Sequence, residues 1–472
     1  LKIRPGQHIH LVGIGGAGLS AIARILLGQG YRVSGSDRGA NPQTEALARD
    51  GAVIYQGHDA RYVDGADALI ISSAVPADHV EVAAARDRCI AVYKRQDIMA
   101  DLMIGRRVIA VAGTHGKTTT TSMVAHILHD CGCDPGYIVG GVMGSTRTNA
   151  ASGTGPHFVI EADEYDNMFH GLNPDIAILT SMEYDHPDFF PTFEIMADSF
   201  RTFVDRLPDE GLLVACAADE SATRLAARRL VHHQHAVTYG LDHTGARWRA
   251  KNLRREGEWT VFDVFSFEEM PGEEFLGTVH LPVPGRHNIL NALAALVVAY
   301  REHIPFVLAA DALRRFRPAG RRFDLRAEVN RVAVIDDYAH HPTAIRVTLE
   351  AARSRYPNRQ IWAVWQPHTY SRTQALFDDY TRAFESADHV LVTDIYAARE
   401  QATPDSVTGK AMAAAIVHAD AQHTPSLDDT AQALIARVTS PAVVIIMSAG
   451  DAPRIGQLLV DDLRKRAGGG QS

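Results

Sequence analysis

The sequence predicts an α/β protein built from three doubly wound domains. Three observations carry the prediction. The chain is 472 residues long, about three typical domains. Short β-branched runs alternate with helical patterns along most of it, the mark of sheets covered by helices on both faces. Two glycine-rich strand-to-helix turns, at residues 13–18 and 113–116, open the first two stretches.

Composition fits this class. Hydrophobic residues make up 46% and charged residues 22%, which excludes disordered, collagen-like and coiled-coil chains. The 47 basic and 56 acidic residues leave a net charge of −9 with no long single-sign run, so the basic footprint of a nucleic-acid binder is missing. The longest apolar run, residues 292–300, falls well short of the roughly 20 residues a membrane-spanning helix needs. The opening Leu1-Lys2-Ile3-Arg4-Pro5 shows no apolar signal core, so the expectation is a chain not marked for secretion. Four cysteines in this length are no disulfide framework, and Cys131-Gly132-Cys133 lacks zinc spacing. A reducing cytoplasm is expected.

The first segment covers residues 1–105. His8-Ile9-His10-Leu11-Val12 reads as a buried strand, residues 19–27 as a helix, and residues 31–35 as a second strand ending at Ser36-Asp37. Gly13, Gly15, Gly16 and Gly18 stand between the first strand and the helix, at the spacing of a nucleotide-binding βαβ turn. Gly13 permits the tight turn, Gly15 lets a diphosphate approach the backbone, and Gly18 lets helix and strand pack. The diphosphate would sit at the helix N-terminus. Asp37 can accept hydrogen bonds from a ribose or base. A strand over residues 68–71 ends in Ser72-Ser73, hydroxyls at the expected ligand crevice. A ligand-free structural turn would use the same glycines, and NAD and a nucleotide sugar satisfy the same geometry.

The second segment, residues 106–318, begins with the strand Val108-Ile109-Ala110-Val111-Ala112. Gly113-Thr114-His115-Gly116-Lys117-Thr118-Thr119 follows as a phosphate loop, then a helix. Loop N–H groups cradle phosphates, Lys117 places a charge against the β/γ oxygens, and Thr118 offers a hydroxyl to Mg²⁺. Two strand ends converge on this edge. One carries Glu161-Ala162-Asp163-Glu164, the other Glu183-Tyr184-Asp185-His186. Acids beside phosphates call for a cation, so these carboxylates are expected to hold Mg²⁺ directly or through water. His186 is a weaker candidate, because imidazole is not a favoured Mg²⁺ ligand. Residues 258–267 read as a strand or hairpin. His232-His233-Gln234-His235 sits on no patterned element and has no acid partner, and reads as a solvated cluster. Asn288 and Asn291 precede an apolar helix over residues 293–300. They could address a base edge from one helix face, or Asn288 could cap the helix.

The third segment, residues 319–472, follows Arg321-Arg322-Phe323. Its strands end in Asp336-Asp337-Tyr338-Ala339-His340-His341, in Gln366-Pro367-His368-Thr369-Tyr370-Ser371-Arg372, in Asp394 and in Ser448. A carboxylate pair and two histidines at one strand end make a functional edge. The tail after Leu463, ending Gly468-Gly469-Gly470, reads as disordered.

Taken in order, GTHGKT, EADExD, the DH pair, GxHNxxNA, RRF, DDYAHHP and QPHxYxRT resemble the Mur ligases over essentially the whole chain, and among them the alanine-adding members. The resemblance implies an N-terminal Rossmann-like UDP-binding domain, a central P-loop-type ATPase domain and a C-terminal Rossmann-like domain. It implies an ATP-dependent ligase joining L-alanine to the lactyl carboxylate of UDP-N-acetylmuramate through an acyl phosphate, in peptidoglycan precursor synthesis. Carried over by motif, Gly113, Thr114, His115, Gly116, Lys117, Thr118 and Thr119 would bind ATP, with Asn288 and Asn291 at the adenine. Thr118, Glu161 and His186 would serve Mg²⁺. Arg322 and Asp337 would close on ATP from the hinge and the third domain. Gly13, Gly15, Gly16, Gly18, Asp37, His58, Ser72 and Ser73 would hold the UDP-sugar. His340, His341, Tyr338 and Arg372 would line the amino-acid and reacting end. ATP and Mg²⁺ are the implied cofactors, small molecules the implied partners, without nucleic acid or membrane insertion, in a cytoplasmic monomer or weak homodimer.

The sequence departs from the family pattern in places. Tyr165 stands where serine is common, Trp365 where phenylalanine is common, and Thr369 where arginine is common. No lysine lies between Lys117 and Lys251, so the carbamylated lysine of the later-step ligases is unavailable. A ligase attaching a whole tripeptide shares the EADEYD signature and is the runner-up. A nicotinamide-dependent oxidoreductase would need only the first glycine turn and leaves residues 113–118 and 336–341 unexplained.

Overall fold

The computed structural model describes residues 2–72, 75–233, 235–267 and 272–468. It contains three sheets, one per segment. The first holds β1 (His8–Val12), β2 (Arg32–Asp37), β3 (Val53–Gln56), β4 (Ala68–Ile71) and β5 (Ala91–Lys94) in the order β3-β2-β1-β4-β5, all parallel. Its strands are apolar runs because helices cover both faces. The strand order reverses between β1 and β4, which opens a crevice at the 13–18 turn.

The central sheet has ten strands: β6 (Arg107–Ala112), β7 (Gly136–Ile138), β8 (Ala150–Ala151), β9 (His157–Glu161), β10 (Ile176–Leu179), β11 (Leu212–Cys216), β12 (Ala236–Leu241), β13 (Trp248–Glu256), β14 (Trp259–Ser266) and β15 (Glu274–Leu281). Their order is β15-β14-β13-β12-β11-β10-β6-β9-β7-β8. β6 lies between β9 and β10, parallel to both, so the loop after β6 emerges at this sheet's switch point. Residues 258–267 form β14, the middle strand of an antiparallel extension. The third sheet holds β16 (Asp324–Val329), β17 (Val332–Asp337), β18 (Gln360–Trp365), β19 (His389–Val392), β20 (Ala421–His423) and β21 (Ala442–Met447) in the order β16-β17-β21-β18-β19-β20. β16 alone pairs antiparallel there.

The two seams between sheets differ. One continuous apolar cluster joins the first and second domains, with Ile98, Met99 and Leu102 packed with Phe169, Leu172 and Phe203. Asn149 adds a polar tie, donating to the Ala17 carbonyl (3.2 Å) and accepting from Arg24 (2.6 Å). The seam between the second and third domains is polar and contains the site described below.

Several local expectations need correction. The apolar helix begins at Arg286 and runs to Arg301, so Asn288 lies inside its first turn. Gly285 takes the cap position, and its φ of +101° suits glycine alone. His233 and His235 do have acid partners, Asp209 and Glu210, each at 3.3 Å. These pairs are exposed and belong to the solvated surface. The expected disordered tail is helical through residues 464–468, inside the helix Pro453–Gly468, and residues 469–472 lie outside the described residues. Among the described residues no helix is long and apolar enough to cross a membrane.

Candidate active site

The phosphate loop is wedged into place. Gly113 and Gly116 have φ of +135° and +79°. A side chain on Gly113 would strike the Thr180 hydroxyl, and one on Gly116 would meet the Asn291 amide at 2.5 Å. The C-terminal end of β10 clamps the loop. Thr114 N–H donates to the Ser181 carbonyl (2.9 Å), the Thr114 hydroxyl donates to the Glu183 carbonyl (2.8 Å), and the Thr180 hydroxyl donates to the His115 carbonyl (2.6 Å). The helix Lys117–Asp130 then starts with its N–H groups facing the loop, an anion-binding arrangement.

Lys117 donates to the Gly113 carbonyl (2.6 Å) and to the Glu164 carboxylate (2.9 Å). Burial disfavours its ammonium, but Glu164, with Asp163 and Glu161 behind it, outweighs burial and raises its pKa. The Thr118 hydroxyl donates to Glu161 (3.0 Å) and accepts from Arg322 of the hinge (2.9 Å). Glu161 takes Gly140 N–H on its other oxygen (2.6 Å). Thr118 and Glu161 thus form an all-oxygen donor pair, which suits a hard cation. His186 lies apart from that pair. Its ion-pair contacts are Glu164 at 3.7 Å and Asp185 at 3.8 Å.

The acids after β10 are engaged by neighbouring side chains. Asp185 accepts from the Arg372 guanidinium at 2.6 Å, with both side chains about 5% exposed. Burial pushes Asp185 up, but Arg372 and three nearby histidines hold it well below the ordinary range. Glu183 accepts from His115 (3.3 Å) and from the Thr343 hydroxyl (2.6 Å). The sequence named these carboxylates as metal holders; in the fold both also reach the third domain, Asp185 through Arg372 and Glu183 through Thr343.

The third domain supplies the facing wall. His341 precedes the helix Pro342–Arg355. Its Nδ1 accepts Thr343 N–H (3.3 Å) and its Nε2 donates to the Tyr184 carbonyl of the central domain (3.2 Å). His340 donates to the Tyr338 carbonyl (2.8 Å). Arg372 is fully engaged, since besides Asp185 it donates to His368 (2.9 Å) and His186 (3.4 Å). Burial, followed by Arg372, pulls His340 well below 6.5 and His368 to about 4. Asp337 accepts the N–H groups of Phe323 (2.8 Å) and Ala339 (2.7 Å), which ties it to the hinge. Tyr338 lies 5.1 Å from the guanidinium carbons of both Arg321 and Arg322. Asn288 and Asn291 bond to each other (3.2 Å), with Asn288 also donating to Pro284 and Asn291 accepting from Thr120. These walls enclose a cavity of about 460 Å³, lined by Lys117, Thr118, Asn291, Arg322, His340 and Arg372 among others. Glu183, His287 and His368 also face it. Sequence reading gave His287 and His368 no role, although both stand inside quoted motifs.

The remaining predicted residues form a second cluster, in the first domain. Gly13 has φ of +83°, and its N–H donates to the Ser36 carbonyl (2.8 Å). Gly15 N–H donates to Asp37 (2.8 Å), so Asp37 braces the loop. The space a side chain would take at Gly15 is held by Asp37, Asn41 and Thr44, and at Gly18 by Arg95. Gly18 therefore makes room for an arginine, whereas the sequence expected helix-on-strand packing. Gly35 of β2 makes room for Ile14 of the turn and the Leu11 carbonyl of β1. Gly16 caps the helix Ala17–Gly28. Ser72 N–H reaches the Val12 carbonyl (3.4 Å), His58 lies on Ser36 and Glu81, and Ser73 is outside the described residues.

Three family profiles match the chain: "Mur ligase family, catalytic domain" over residues 8–107, "Mur ligase middle domain" over 111–299, and "Mur ligase, glutamate ligase domain" over 321–450. The UDP-N-acetylmuramate–L-alanine ligase of Roseiflexus sp. (strain RS-1) is 43% identical across 98% of this chain and 100% of its own. That of Magnetococcus marinus is 42% identical across 95% of each. Among solved structures, the UDP-N-acetylmuramate-alanine ligase of Thermotoga maritima matches with a TM-score of 0.80 at 27% identity, covering 98% of this chain and 100% of that one. A murein peptide ligase from Psychrobacter arcticus matches with a TM-score of 0.70 at 27% identity, covering 97% and 99%. With its three domains matched in order and identity above 40% over nearly its full length, the chain belongs to the Mur ligase family.

Proposed function

We propose that the protein is an ATP-dependent ligase that joins L-alanine to the lactyl carboxylate of UDP-N-acetylmuramate in peptidoglycan precursor synthesis. The observation that carries this reading is the single cavity in which phosphate-loop residues face hinge and third-domain residues. A ligase that activates one substrate with ATP and then admits a second needs such a shared chamber. The names of the full-length relatives support the alanine-adding step.

The chemistry runs in two stages. The lactyl carboxylate attacks the γ-phosphorus, ADP leaves, and an acyl phosphate forms. The alanine amine then attacks the acyl carbon and phosphate departs. Lys117 exchanges Glu164 and the Gly113 carbonyl for β/γ-phosphate oxygens, and Arg322 approaches them from the hinge. Positioning and charge stabilisation are most of what a protein contributes to phosphoryl transfer. Thr118 and Glu161 would hold Mg²⁺, which when bound neutralises phosphoryl oxygens. His186, apart from that pair and beside Glu164, would serve a second metal or its bound water. Asn288 and Asn291 turn from each other to adenine, beside Asp337 and the hinge. His340, His341, Tyr338 and Arg372 wall the reacting end and keep water from the acyl phosphate. The UDP-sugar is held by the first domain, from Gly13 to Ser72.

On this reading the units are residues 1–105, 106–318 and 319–472, in a cytoplasmic monomer or weak homodimer. The test is phosphate release with ATP, Mg²⁺ and UDP-N-acetylmuramate, comparing L-alanine, glycine, L-serine and the tripeptide. Release with L-alanine is expected, and release with tripeptide alone overturns the assignment.

A further inference from the structure

We propose that Glu81 is a positioning residue of the first-domain crevice: its buried carboxylate fixes the His58 ring so that Nδ1–H points inward and Nε2 accepts a hydrogen bond from the uridine part of the substrate. The proposal rests on reading this crevice as the UDP-sugar site.

Glu81 stands in the first turn of the helix Val80–Asp87 and is completely buried. A carboxylate there needs neutralisation and donors, and it has them. His10 Nε2 (2.9 Å) and the Ser36 hydroxyl (2.8 Å) donate to one oxygen, and His58 Nδ1 (2.9 Å) donates to the other. The chain continues inward. His10 Nδ1 and His8 Nε2 both lie 2.8 Å from the Ser34 hydroxyl, and His8 Nδ1 lies 2.9 Å from the Gly65 carbonyl.

The acceptors at the ends of this chain fix which ring nitrogens donate to them. Both termini, the Gly65 carbonyl and the Glu81 carboxylate, only accept, so each ring must donate outward. One hydroxyl hydrogen then faces two inner ring nitrogens. The carboxylate thus takes its donors from His10, Ser36 and His58. With Nδ1–H committed to Glu81, Nε2 of His58 keeps a lone pair. The His58 side chain is 23% exposed, and its ring is braced edge-on by His79 at 4.5 Å. A lone pair at this edge suits the uracil N3–H or a ribose hydroxyl. It does not suit a phosphate oxygen, which also accepts.

The test uses the full-length protein with UDP-N-acetylmuramate and ATP. Glu81→Gln keeps the shape but puts an NH₂ where donors converge. It is expected to raise KM for UDP-N-acetylmuramate about tenfold while moving KM for ATP less than twofold. His58→Ala should do the same, and the double variant should lose no more than His58→Ala alone. Histidine ¹⁵N spectra of the unmutated protein should show His58 as the Nδ1–H tautomer. An Nε2–H tautomer, additive losses, or equal rises in both KM values overturn the proposal, the last marking a merely structural residue. If His58→Ala leaves KM unchanged, the crevice reading itself fails.

Discussion

The crevice of the first domain and the cavity between the second and third obey one rule and are built in opposite ways. Each lies at the C-terminal ends of parallel strands, where a doubly wound sheet binds ligands. The crevice is complete within one domain, since the partners of Gly13, Asp37 and His58 all fall between residues 13 and 81. The cavity is complete only when two domains meet, through Arg372–Asp185, Thr343–Glu183, His341–Tyr184 and Arg322–Thr118. The seams match this division. An apolar cluster fuses the first domain to the second, and burying such surface is favourable whatever the ligand. The central and third domains meet through charges and hydrogen bonds, which water replaces at little net loss. The difference teaches which seam costs less to part: the polar one between the second and third domains.

The largest effect that would sharpen this contrast is at Lys117. Lys117→Ala should lower kcat about 10³-fold or more, read as phosphate release, while leaving UDP-N-acetylmuramate binding by calorimetry unchanged. Loss of that binding would merge the two sites. Next comes the buried pair. Arg372→Ala strands Asp185 and should cost about 3–5 kcal/mol in thermal or denaturant unfolding of the third domain. Asp185→Asn added to Arg372→Met should recover part of that loss, because no unpaired charge then remains.

A smaller effect is pH dependence of the polar seam. Burial, then His115, holds His341 at about 4 against an ordinary 6.5. Below pH 6.5 the unfolded chain takes up a proton that the folded seam refuses. Stability should therefore fall as pH drops from 6.5 to 4, by about 1 kcal/mol per pH unit for this one group. His341→Asn should flatten that part of a calorimetric pH series. A flat series in the unmutated protein would show that the seam does not carry the titration. The smallest effect lies at the outer rim. Arg255 of β13 donates to the Ser354 carbonyl (2.9 Å) and the Arg355 carbonyl (2.7 Å) at the end of the third-domain helix Pro342–Arg355. Arg255→Ala should cost about 1 kcal/mol, read as a small shift of the third domain's melting.

The sheets, the phosphate loop and the glycine turn were legible in the sequence because each depends on neighbours within a few residues. Lys117 sits beside its loop whatever the rest of the chain does, and Gly13 needs its left-handed backbone wherever the domain lies. Roles that depend on distant partners were not legible. Asp185 read as a metal carboxylate because nothing near it in sequence announces Arg372, 187 residues away. Gly18 read as a packing glycine because Arg95 arrives from another helix. Glu81 drew no reading from the sequence, since only the paired strands bring His10 and Ser36 to it.

By itself the sequence determined three α/β units, the phosphate loop, the strand ends that carry chemistry and the family these motifs belong to. Those follow from hydrophobic period, turn geometry and short spacing, all set by local covalent and steric rules. Tertiary structure alone decided which carboxylate meets the Thr118 hydroxyl and which reach across to the third domain. It also decided which histidines are buried, with their pKa pulled down, and which amides turn to each other. Charge pairing and burial act through space, and a residue's electrostatic partner is fixed only when distant segments of the chain are brought within a few ångströms.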